Sequence, residues 1–444
     1  MSPKYRKRFR SAIPKPIEAR FVPIGAIPIV LKSELSFLAS DMKKYMLRSL
    51  LVIAVLLICN SSVDAQNTGE EFIYGLITTV GGEEYRGFIR WNDEEVTWSD
   101  TFNSTKYSKS HRDRQTWSWG KIDWKVANLW KDNYSGSGRL FSCQFGDIAV
   151  LHPKSRERVD IELKNGSIIQ VQGGSNDIGT TLRFHDYEMG LIKLRWDRIE
   201  RIELFQAPTE INPPYDSPIY GIATSIRGDR YEGYIKWDND ERIGEDVLDG
   251  DSRDGEKSIP FRSIAQIEKQ RGRSRVSLRS GRELVMDGSN DVSNGNRGIH
   301  IYHHDIGEIE LPWSEFDKLE ITTPASALGY NDFPMPKPLS GQVLTFDGNT
   351  YEGQIVFDKD EMWDIEGLNG SDNEIDYTIP FRNIKRIIPK NRNYSLIELR
   401  VGEKILLGNG QDVSSSNDGI IVVNDQDQSG ITIDWDDVDE IIFD

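Results

Sequence analysis

Cysteine is scarce in this sequence, which has 444 residues and two cysteines, Cys59 and Cys143. Cys59 falls in a segment that we expect to be removed during export, so Cys143 would be the single thiol of the mature chain. An intrachain disulfide is then excluded, and the protein must be stabilised by its hydrophobic cores. The chain is long enough to build several of them.

Apolar runs long enough to cross a membrane are also missing from the N-terminal region, where the run at residues 50–58 is too short for a span. A basic segment at residues 42–48 precedes this run, and the small residues Val63 and Ala65 follow it. This order is typical of a secretory signal peptide that is cleaved after Ala65.

We therefore expect residues 1–65 to be a leader for the Sec pathway. Translation would begin at Met42, and residues 1–41 would be an over-extended start. The exported protein would be periplasmic, on the cell surface or secreted, with no membrane span after cleavage.

Positive charge is in deficit, with 54 Lys and Arg against 71 Asp and Glu. The leader contains eleven of the basic and four of the acidic residues, which leaves 43 and 67 and a net charge of −24 for the mature chain. Such a surface repels phosphate backbones, so nucleic acid is excluded as a partner. Metal cations and basic partners stay compatible with it.

Catalytic motifs are absent as well. The chain has no G-x-S-x-G elbow, no phosphate-binding G-x-x-x-x-G-K-[ST] loop, no H-E-x-x-H and no cysteine nucleophile with a histidine partner. Carboxylate pairs are too numerous to indicate a hydrolase. We expect a protein that is not an enzyme.

Two short motifs, by contrast, recur six times. The opening motif Φ-x-[L/T/S]-x-x-G, in which Φ is apolar, starts at Ile77, Ile161, Ala223, Val276, Val343 and Ile397. The closing motif [W/F]-x-x-Φ-x-x-[I/L] starts at Trp196, Phe261, Trp313, Phe381 and Trp435, with a degenerate copy at Trp119. Recurrence at regular spacing indicates a repeat architecture.

The motifs group into three long repeats, at residues 66–206, 220–322 and 340–444. Proline-bearing linkers at residues 207–219 and 323–339 separate them. Proline at this density favours extended, semi-rigid spacers. We expect three separate units at defined spacing.

Each repeat opens with Tyr, Gly, Ile and Trp or Phe at every second position, as in Tyr231, Gly233, Ile235 and Trp237. This alternation predicts a strand with one buried face, and a glycine on that face suits a strongly bent strand. The closing motif breaks the alternation, which predicts a 3₁₀ turn between two strands.

These parts together resemble small β-barrels of the SH3-like or Sm-like type. The resemblance implies an all-β fold in which each of the three tandem repeats is a pair of such barrels, one for each half of the repeat. It extends to the barrel pattern and not to a functional family, because barrels of this kind serve many unrelated partners. The RNA-binding residues of Sm proteins are not matched.

The first repeat also contains an aromatic-rich insertion at residues 123–158. We expect the tryptophans of the recurring motifs to be core residues. The aromatic residues in or just before the insertion are less constrained, and the candidates for binding a ligand such as a glycan are Trp117, Trp124, Trp130 and Tyr134.

Acidic residues recur after the first-half strand of each repeat, beginning with Glu94 and Glu95 in repeat 1. Carboxylates alternating in a polar loop can bind Ca²⁺, although a solvated turn explains the same pattern. The candidate ligands are Asp238, Asp240, Glu241, Asp249, Asp251, Asp358, Asp360 and Glu361. No other cofactor is expected, and a zinc site at His300, His303 and His304 is less favoured than a strand-end turn.

The sequence thus predicts an exported, acidic, non-catalytic repeat protein that acts as a multivalent interaction scaffold in the periplasm or at the cell surface. Its partner would be a protein or a glycan of the cell envelope. The alternatives are a glycan-binding protein that uses the repeat-1 aromatic residues, and an adhesin-like stalk stabilised by Ca²⁺.

Overall fold

The computed structural model describes residues 69–92, 94–106, 139–173, 177–424 and 430–444. Their regular structure consists of antiparallel strands and six short 3₁₀ turns, so the prediction of an all-β fold is confirmed. Within these ranges no helix has the length and apolar character needed to cross a membrane.

Each repeat contributes ten strands. Those of repeat 1 are β1 Tyr74–Thr79, β2 Glu84–Trp91, β3 Thr101–Lys106, β4 Leu140–Gln144, β5 Ile148–Pro153, β6 Arg158–Leu163, β7 Ile168–Gln172, β8 Thr181–Asp186, β9 Gly190–Arg195 and β10 Ile199–Leu204. Those of repeat 2 are β11 Tyr220–Ser225, β12 Arg230–Trp237, β13 Val247–Ser252, β14 Gly255–Pro260, β15 Ile264–Gln270, β16 Arg273–Leu278, β17 Glu283–Asp287, β18 Ile299–His303, β19 Gly307–Leu311 and β20 Phe316–Ile321. Those of repeat 3 are β21 Ser340–Thr345, β22 Thr350–Val356, β23 Gly367–Asp372, β24 Ile375–Pro380, β25 Ile384–Pro389, β26 Tyr394–Leu399, β27 Lys404–Gly408, β28 Ile420–Val423, β29 Gly430–Ile433 and β30 Val438–Phe443.

The 3₁₀ turns occupy equivalent places in the repeats, except for one in the second linker. They are Phe145–Asp147, Trp196–Arg198, Phe261–Ser263, Tyr330–Asp332, Phe381–Asn383 and Trp435–Asp437. Five of them directly precede a strand, where the aromatic first residue is buried and turns the chain inward. Apolar residues at every third position therefore mark a turn followed by a strand, as the closing motif predicts.

The strand order is the same in all three repeats, and in repeat 1 it reads β4-β3-β7-β6-β5-β10-β1-β2-β8-β9. Two groups of five strands meet where β5 pairs with β10. One group is β9-β8-β2-β1-β10, and the other, β4-β3-β7-β6-β5, is continuous in sequence. The sheets of repeats 2 and 3 also join edge to edge through β19 and β24, which forms a 20-stranded sheet.

This pairing corrects the expected division of each repeat into two sequential halves. Strand β2 of the first half pairs with β8 of the second, and β3 pairs with β7. The same exchange occurs in repeats 2 and 3, where β12 pairs with β18 and β22 with β28. The two halves begin with similar hairpins, so local sequence gives each hairpin no preference for the strands of its own half.

The position of the repeat-1 insertion was also predicted wrongly. The closing motif of this half is Phe145, Ile148 and Leu151, all fully buried, and not the degenerate copy at Trp119. Residues 140–153 therefore form β4, a 3₁₀ turn and β5, which every repeat has. The extra length lies in the connection between β3 and β4, whereas the matching β13 and β14 are joined by a tight turn.

The expectation of separate units is wrong too, because the described residues of all three repeats and both linkers belong to one compact unit. The linkers pack instead of acting as spacers. Tyr215 of the first linker is buried against Phe72, with ring centroids 5.5 Å apart. Tyr330 of the second linker packs on Trp98 and donates a hydrogen bond to the carbonyl oxygen of Ile148. Apolar side chains between the prolines bind the linkers to repeat 1.

The glycine in the middle of the second strand of each repeat lies against a neighbouring backbone. A Cβ atom on Gly233 would be 2.4 Å from the carbonyl oxygen of Tyr302 on β18, and the equivalent distances for Gly87 and Gly353 are shorter, at 1.8 and 2.1 Å. The sequence suggested a bent strand as the reason for this glycine. Close approach of the paired strand is the reason that the structure provides.

We expect Gly233→Ala to lower the free energy of unfolding by about 1–3 kcal/mol, because β18 must move to admit the methyl group. Gly81→Ala is the matched control, since its Cβ would meet nothing closer than Thr79 Oγ1 at 3.6 Å. Urea unfolding of both variants measures the difference. Equal stabilities would show that the strand pairing is looser than described.

Candidate functional site

Buried carboxyl groups gather where the chain crosses between the two five-strand groups. The first crossing connection of each repeat follows its second strand, and the second crossing connection follows its seventh strand. The two connections lie side by side, because the indole N–H of Trp91 donates to the carbonyl oxygen of Asp177 at 2.9 Å. Trp237 and Asp291 repeat this contact at 3.0 Å.

An aspartate on each second crossing connection anchors the strand that follows the first. Its Oδ2 atom accepts a hydrogen bond from a backbone amide of the third strand of the repeat. The pairs are Asp177 with Asn103 at 2.6 Å, Asp291 with Asp249 at 2.7 Å and Asp412 with Asn369 at 2.7 Å. All three repeats have an aspartate at this position, since the backbone amide that it accepts needs an acceptor.

An acidic residue at the end of each first crossing connection accepts two successive backbone amides. Asp100, Asp246 and Glu366 occupy this position. Each also pairs with a cation of another repeat. The ion pairs are Asp100 with Arg242, Asp246 with Arg90 at 3.0 Å, and Glu366 with Lys106. These carboxylates therefore connect the repeats as well as capping their own turns.

Each repeat also has a glutamate on its first crossing connection whose buried Oε2 atom has no hydrogen-bond partner. These residues are Glu95 in repeat 1, Glu241 in repeat 2 and Glu361 in repeat 3. Burial, followed by repulsion from the carboxylates of Asp291 and Asp240, raises the pKa of Glu241 to about 10. Burial also raises the pKa values of Glu95 and Glu361 well above their usual range.

In repeat 3, three carboxyl groups of the two crossing connections lie close together. Carboxylate oxygens of Asp358, Glu361 and Asp412 lie within 4.8 Å of one another, and all three residues are buried. Burial raises the pKa of Asp358 to about 7 and that of Asp412 to about 6. Within the described ranges, no other three His, Cys, Asp or Glu residues meet this closely. We call this set the repeat-3 cluster.

The structure brings some of the predicted calcium ligands together and separates others. Glu241 and Asp238 lie on the same crossing connection, as do Glu361 and Asp358. Asp240 pairs with Arg297, and Asp360 pairs with Lys106. The predicted calcium-binding pattern required Asp249 and Asp251 to lie in a loop, and they do not. They lie on strand β13, where both are exposed.

The three neighbouring histidines do not form a common site. His300 Nδ1 is 2.7 Å from Glu308 Oε1, and its Nε2 is 2.8 Å from Asn239 Oδ1. His303 instead accepts a hydrogen bond from the amide of Asp305 at 3.1 Å, as a residue at a strand-end turn does. This favours the turn over zinc.

A cleft of about 410 Å³ lies where the three repeats and the second linker meet. Its aromatic and aliphatic walls are formed by Tyr220, Tyr234, Tyr302, Phe333, Leu328 and Pro334. Its polar lining includes Gln144, Glu232, His303, Asp305, Arg382 and Asn383. We call this the junction cleft.

The side chains of the junction cleft are held in place by their neighbours. The hydroxyl of Tyr234 accepts the amide of Leu328 at 3.3 Å, and Tyr220 donates to Glu232 at 3.2 Å. Arg382 is paired with the buried Asp147 at 2.6 Å. Tyr234 and Tyr302 are only 5% and 4% exposed, so their ring faces are covered. The cleft is preformed, as ligand sites usually are.

Sequence reasoning did not find this cleft, because its residues come from all three repeats and from a linker expected to be a spacer. The predicted ligand-binding residues Trp117, Trp124, Trp130 and Tyr134 lie outside the described residues. The tryptophans of the recurring motifs are buried, as predicted. They are Trp91, Trp196, Trp237, Trp313 and Trp435.

Comparison with known proteins adds no further information. No family model matches the chain, and it matches none of the curated proteins or solved structures searched. A function must therefore be inferred from the geometry of the chain itself.

Proposed function

We propose that this protein is an exported, non-catalytic interaction scaffold of the cell envelope. The observation that supports this function is the junction cleft, a preformed site to which every repeat contributes. A protein built from three similar repeats gains a composite site of this kind only when the repeats are joined in one unit.

The strand order supports the further proposal that each repeat is a pair of small SH3-like barrels. Five of the six five-strand groups have a 3₁₀ turn just before the strand that joins the two groups of the repeat, as between β9 and β10, and the exception is the group that ends in β20. This is the arrangement that we expect for an SH3-like barrel. One barrel would then be continuous in sequence, from β3 to β7, and would be inserted between β2 and β8 of the other.

A peptide segment of a protein partner fits the junction cleft better than a glycan does. Sugar rings stack on exposed aromatic faces, and the rings of Tyr234, Tyr302 and Phe333 are at most 7% exposed. The cleft combines apolar walls with the amides of Gln144 and Asn383, which can bind a peptide backbone. Its acidic residues and the acidic chain favour a basic segment.

Similar apolar contacts outside the cleft would make the scaffold multivalent. The first hairpin of each repeat exposes one apolar side chain at its tip. These are Val80, Ile226 and Phe346, which are 59%, 58% and 68% exposed. Weak contacts at several such points add through effective concentration, so a partner with repeated segments would bind with avidity.

The proposal that the protein is not an enzyme is supported by the location of its unusual carboxyl groups. Catalytic acids and bases need shifted pKa values within reach of a substrate. Glu95, Glu241 and Glu361 are inside the crossing connections, and they do not line the junction cleft. Their burial suits a structural role better than proton transfer to a bound ligand.

The function can be tested by selecting ligands with the purified protein from a phage library of random peptides and from an array of cell-envelope glycans. We expect selected peptides to be basic and to lose binding on Ala325→Trp, which places an indole in the cleft. Thr323→Trp adds the same side chain to an exposed position of the same linker outside the cleft, and it should leave binding unchanged.

If the selected peptides bind the Ala325→Trp variant as well as the wild type, the junction cleft is not their binding site. Glycan binding that is blocked by the same variant would replace the protein partner with a glycan. Failure to retain any peptide or glycan would count against the scaffold function.

A further inference from the structure

We infer that the repeat-3 cluster is a calcium site, with Glu361, Asp412 and Asp358 as its protein ligands. The inference is independent of the proposed scaffold function, because the cluster is separate from the junction cleft. The oxygen atoms of the cluster lie close together, Oε2 of Glu361 has no hydrogen-bond partner, and the cluster differs from its counterparts in the other repeats.

The three carboxylates are close enough to share one ion. Because their oxygen atoms lie within 4.8 Å of one another, there is a point within about 2.8 Å of all three, close to the calcium–oxygen distance of about 2.3–2.6 Å. The ligand set contains oxygen alone, with no imidazole or thiolate, which favours a hard cation over zinc or copper.

Glu361 supplies the second, separate observation. The residue is 7% exposed, and its Oε2 atom is buried without any hydrogen-bond partner. The other two carboxylates accept backbone amides, Asp412 from Asn369 and Asp358 from Asp418. Those two are explained by the fold, whereas Glu361 projects into the cluster with nothing to bind. A buried carboxylate without a partner is costly, and a cation would satisfy it.

The counterparts in the other repeats differ from the repeat-3 cluster at the position of Asp358 or in the cation that binds it. In repeat 1 the position of Asp358 is taken by Asn92, which accepts a hydrogen bond from Thr180 at 2.6 Å. In repeat 2 the guanidinium of Arg297 binds Asp238 at 3.1 Å and Asp240 at 2.7 Å. Repeat 3 has Asp418 at the position of Arg297, and the cation that binds Asp358 is Arg139 of repeat 1 instead.

The charge around the repeat-3 cluster also favours a cation. Six carboxyl groups lie together with two basic side chains, Arg139 and Lys106. The carboxyl groups are Asp358, Asp360, Glu361, Glu366, Asp412 and Asp418. Arg139 comes from repeat 1 and is paired with Asp358 at 2.6 Å and with Asp418. Arg139 would compete with a metal ion for Asp358. Replacing Arg139 should therefore strengthen calcium binding, whereas replacing Glu361 should weaken it.

Calcium binding can be measured on the purified protein by titration calorimetry and by thermal unfolding in Ca²⁺ and in EDTA. We expect Ca²⁺ to raise the Tm by about 2 °C or more. Glu361→Gln should weaken calcium binding by about tenfold or more, because it removes the unpartnered ligand. Glu241→Gln makes the same change at the equivalent position of repeat 2 and should leave calcium affinity unaltered.

Arg139→Gln should tighten calcium binding several-fold, since the competing guanidinium is removed. This variant keeps the inference testable if Glu361→Gln alters the fold. A Tm that does not respond to Ca²⁺, or a response of the same size in Glu361→Gln and the wild type, would overturn the site. Binding of Mg²⁺ or Mn²⁺ without Ca²⁺ would overturn the assignment to calcium.

Discussion

Replacing Arg242 with methionine is expected to lower the free energy of unfolding by about 3–5 kcal/mol, because it leaves a buried charge without its partner. Arg242 and Asp100 are both fully buried, and they pair across repeats 1 and 2. The guanidinium also donates to the carbonyl oxygen of Ile235 at 2.5 Å and to Thr97 Oγ1 at 3.0 Å. Urea unfolding of the purified variant measures the loss.

A matched control separates burial from the loss of an arginine. Arg262→Met breaks the exposed pair with Asp216, whose two side chains are 57% and 41% exposed, and it should cost at most about 1 kcal/mol. The double variant Arg242→Met, Asp100→Asn should be more stable than Arg242→Met alone, since no buried carboxylate is left unpaired. If Arg242→Met and Arg262→Met cost the same, the repeats are not joined by this pair.

Stability should fall as the pH rises from about 5 to 9, the reverse of what paired surface carboxylates produce. The folded-state pKa of Glu241, about 10, exceeds its ordinary value of 4.5. Folding therefore favours the protonated carboxyl group. Its stabilising contribution is complete below the unfolded-state pKa and is lost progressively as the pH rises toward the folded-state pKa.

Glu241→Gln should remove this loss, because an amide does not ionise. We expect the variant to match the wild type near pH 5 and to gain about 1 kcal/mol in relative stability for each pH unit above that, up to about pH 9. Urea unfolding at a series of pH values measures the two slopes. Glu256→Gln changes an exposed glutamate on β14 and should leave the slope unchanged. Identical slopes for Glu241→Gln and the wild type would contradict a raised folded-state pKa of Glu241.

Sequence patterns predicted the local structure well. Alternation at Tyr231, Gly233, Ile235 and Trp237 indicated a strand, and that strand is β12. Spacing of three at Phe261, Ile264 and Ile267 indicated a turn followed by a strand, and the structure has both. Each of these features depends on which side chains of a short segment share one buried face. The sequence of that segment is therefore sufficient to specify it.

The candidate sites could be predicted only in part. Glu361 and Asp358 were identified from their spacing within one loop. Asp412, the third member of the repeat-3 cluster, comes from a connection about fifty residues later and was not among the predicted ligands. The exchange of strands between the two halves of a repeat brings these connections together. Because the six opening hairpins are so alike, nothing local distinguishes a pairing within a half from a pairing between halves.

The sequence by itself determined the all-β class and the position of most strands, because each follows from hydrophobic spacing along a short stretch. Only the tertiary structure decided that the repeats merge, that the linkers pack, and that carboxylates converge. Those outcomes depend on single long-range contacts, such as Arg242 with Asp100 and Lys106 with Glu366. Contacts of that kind require complementary charge and shape between distant segments, and no periodicity along the chain encodes them.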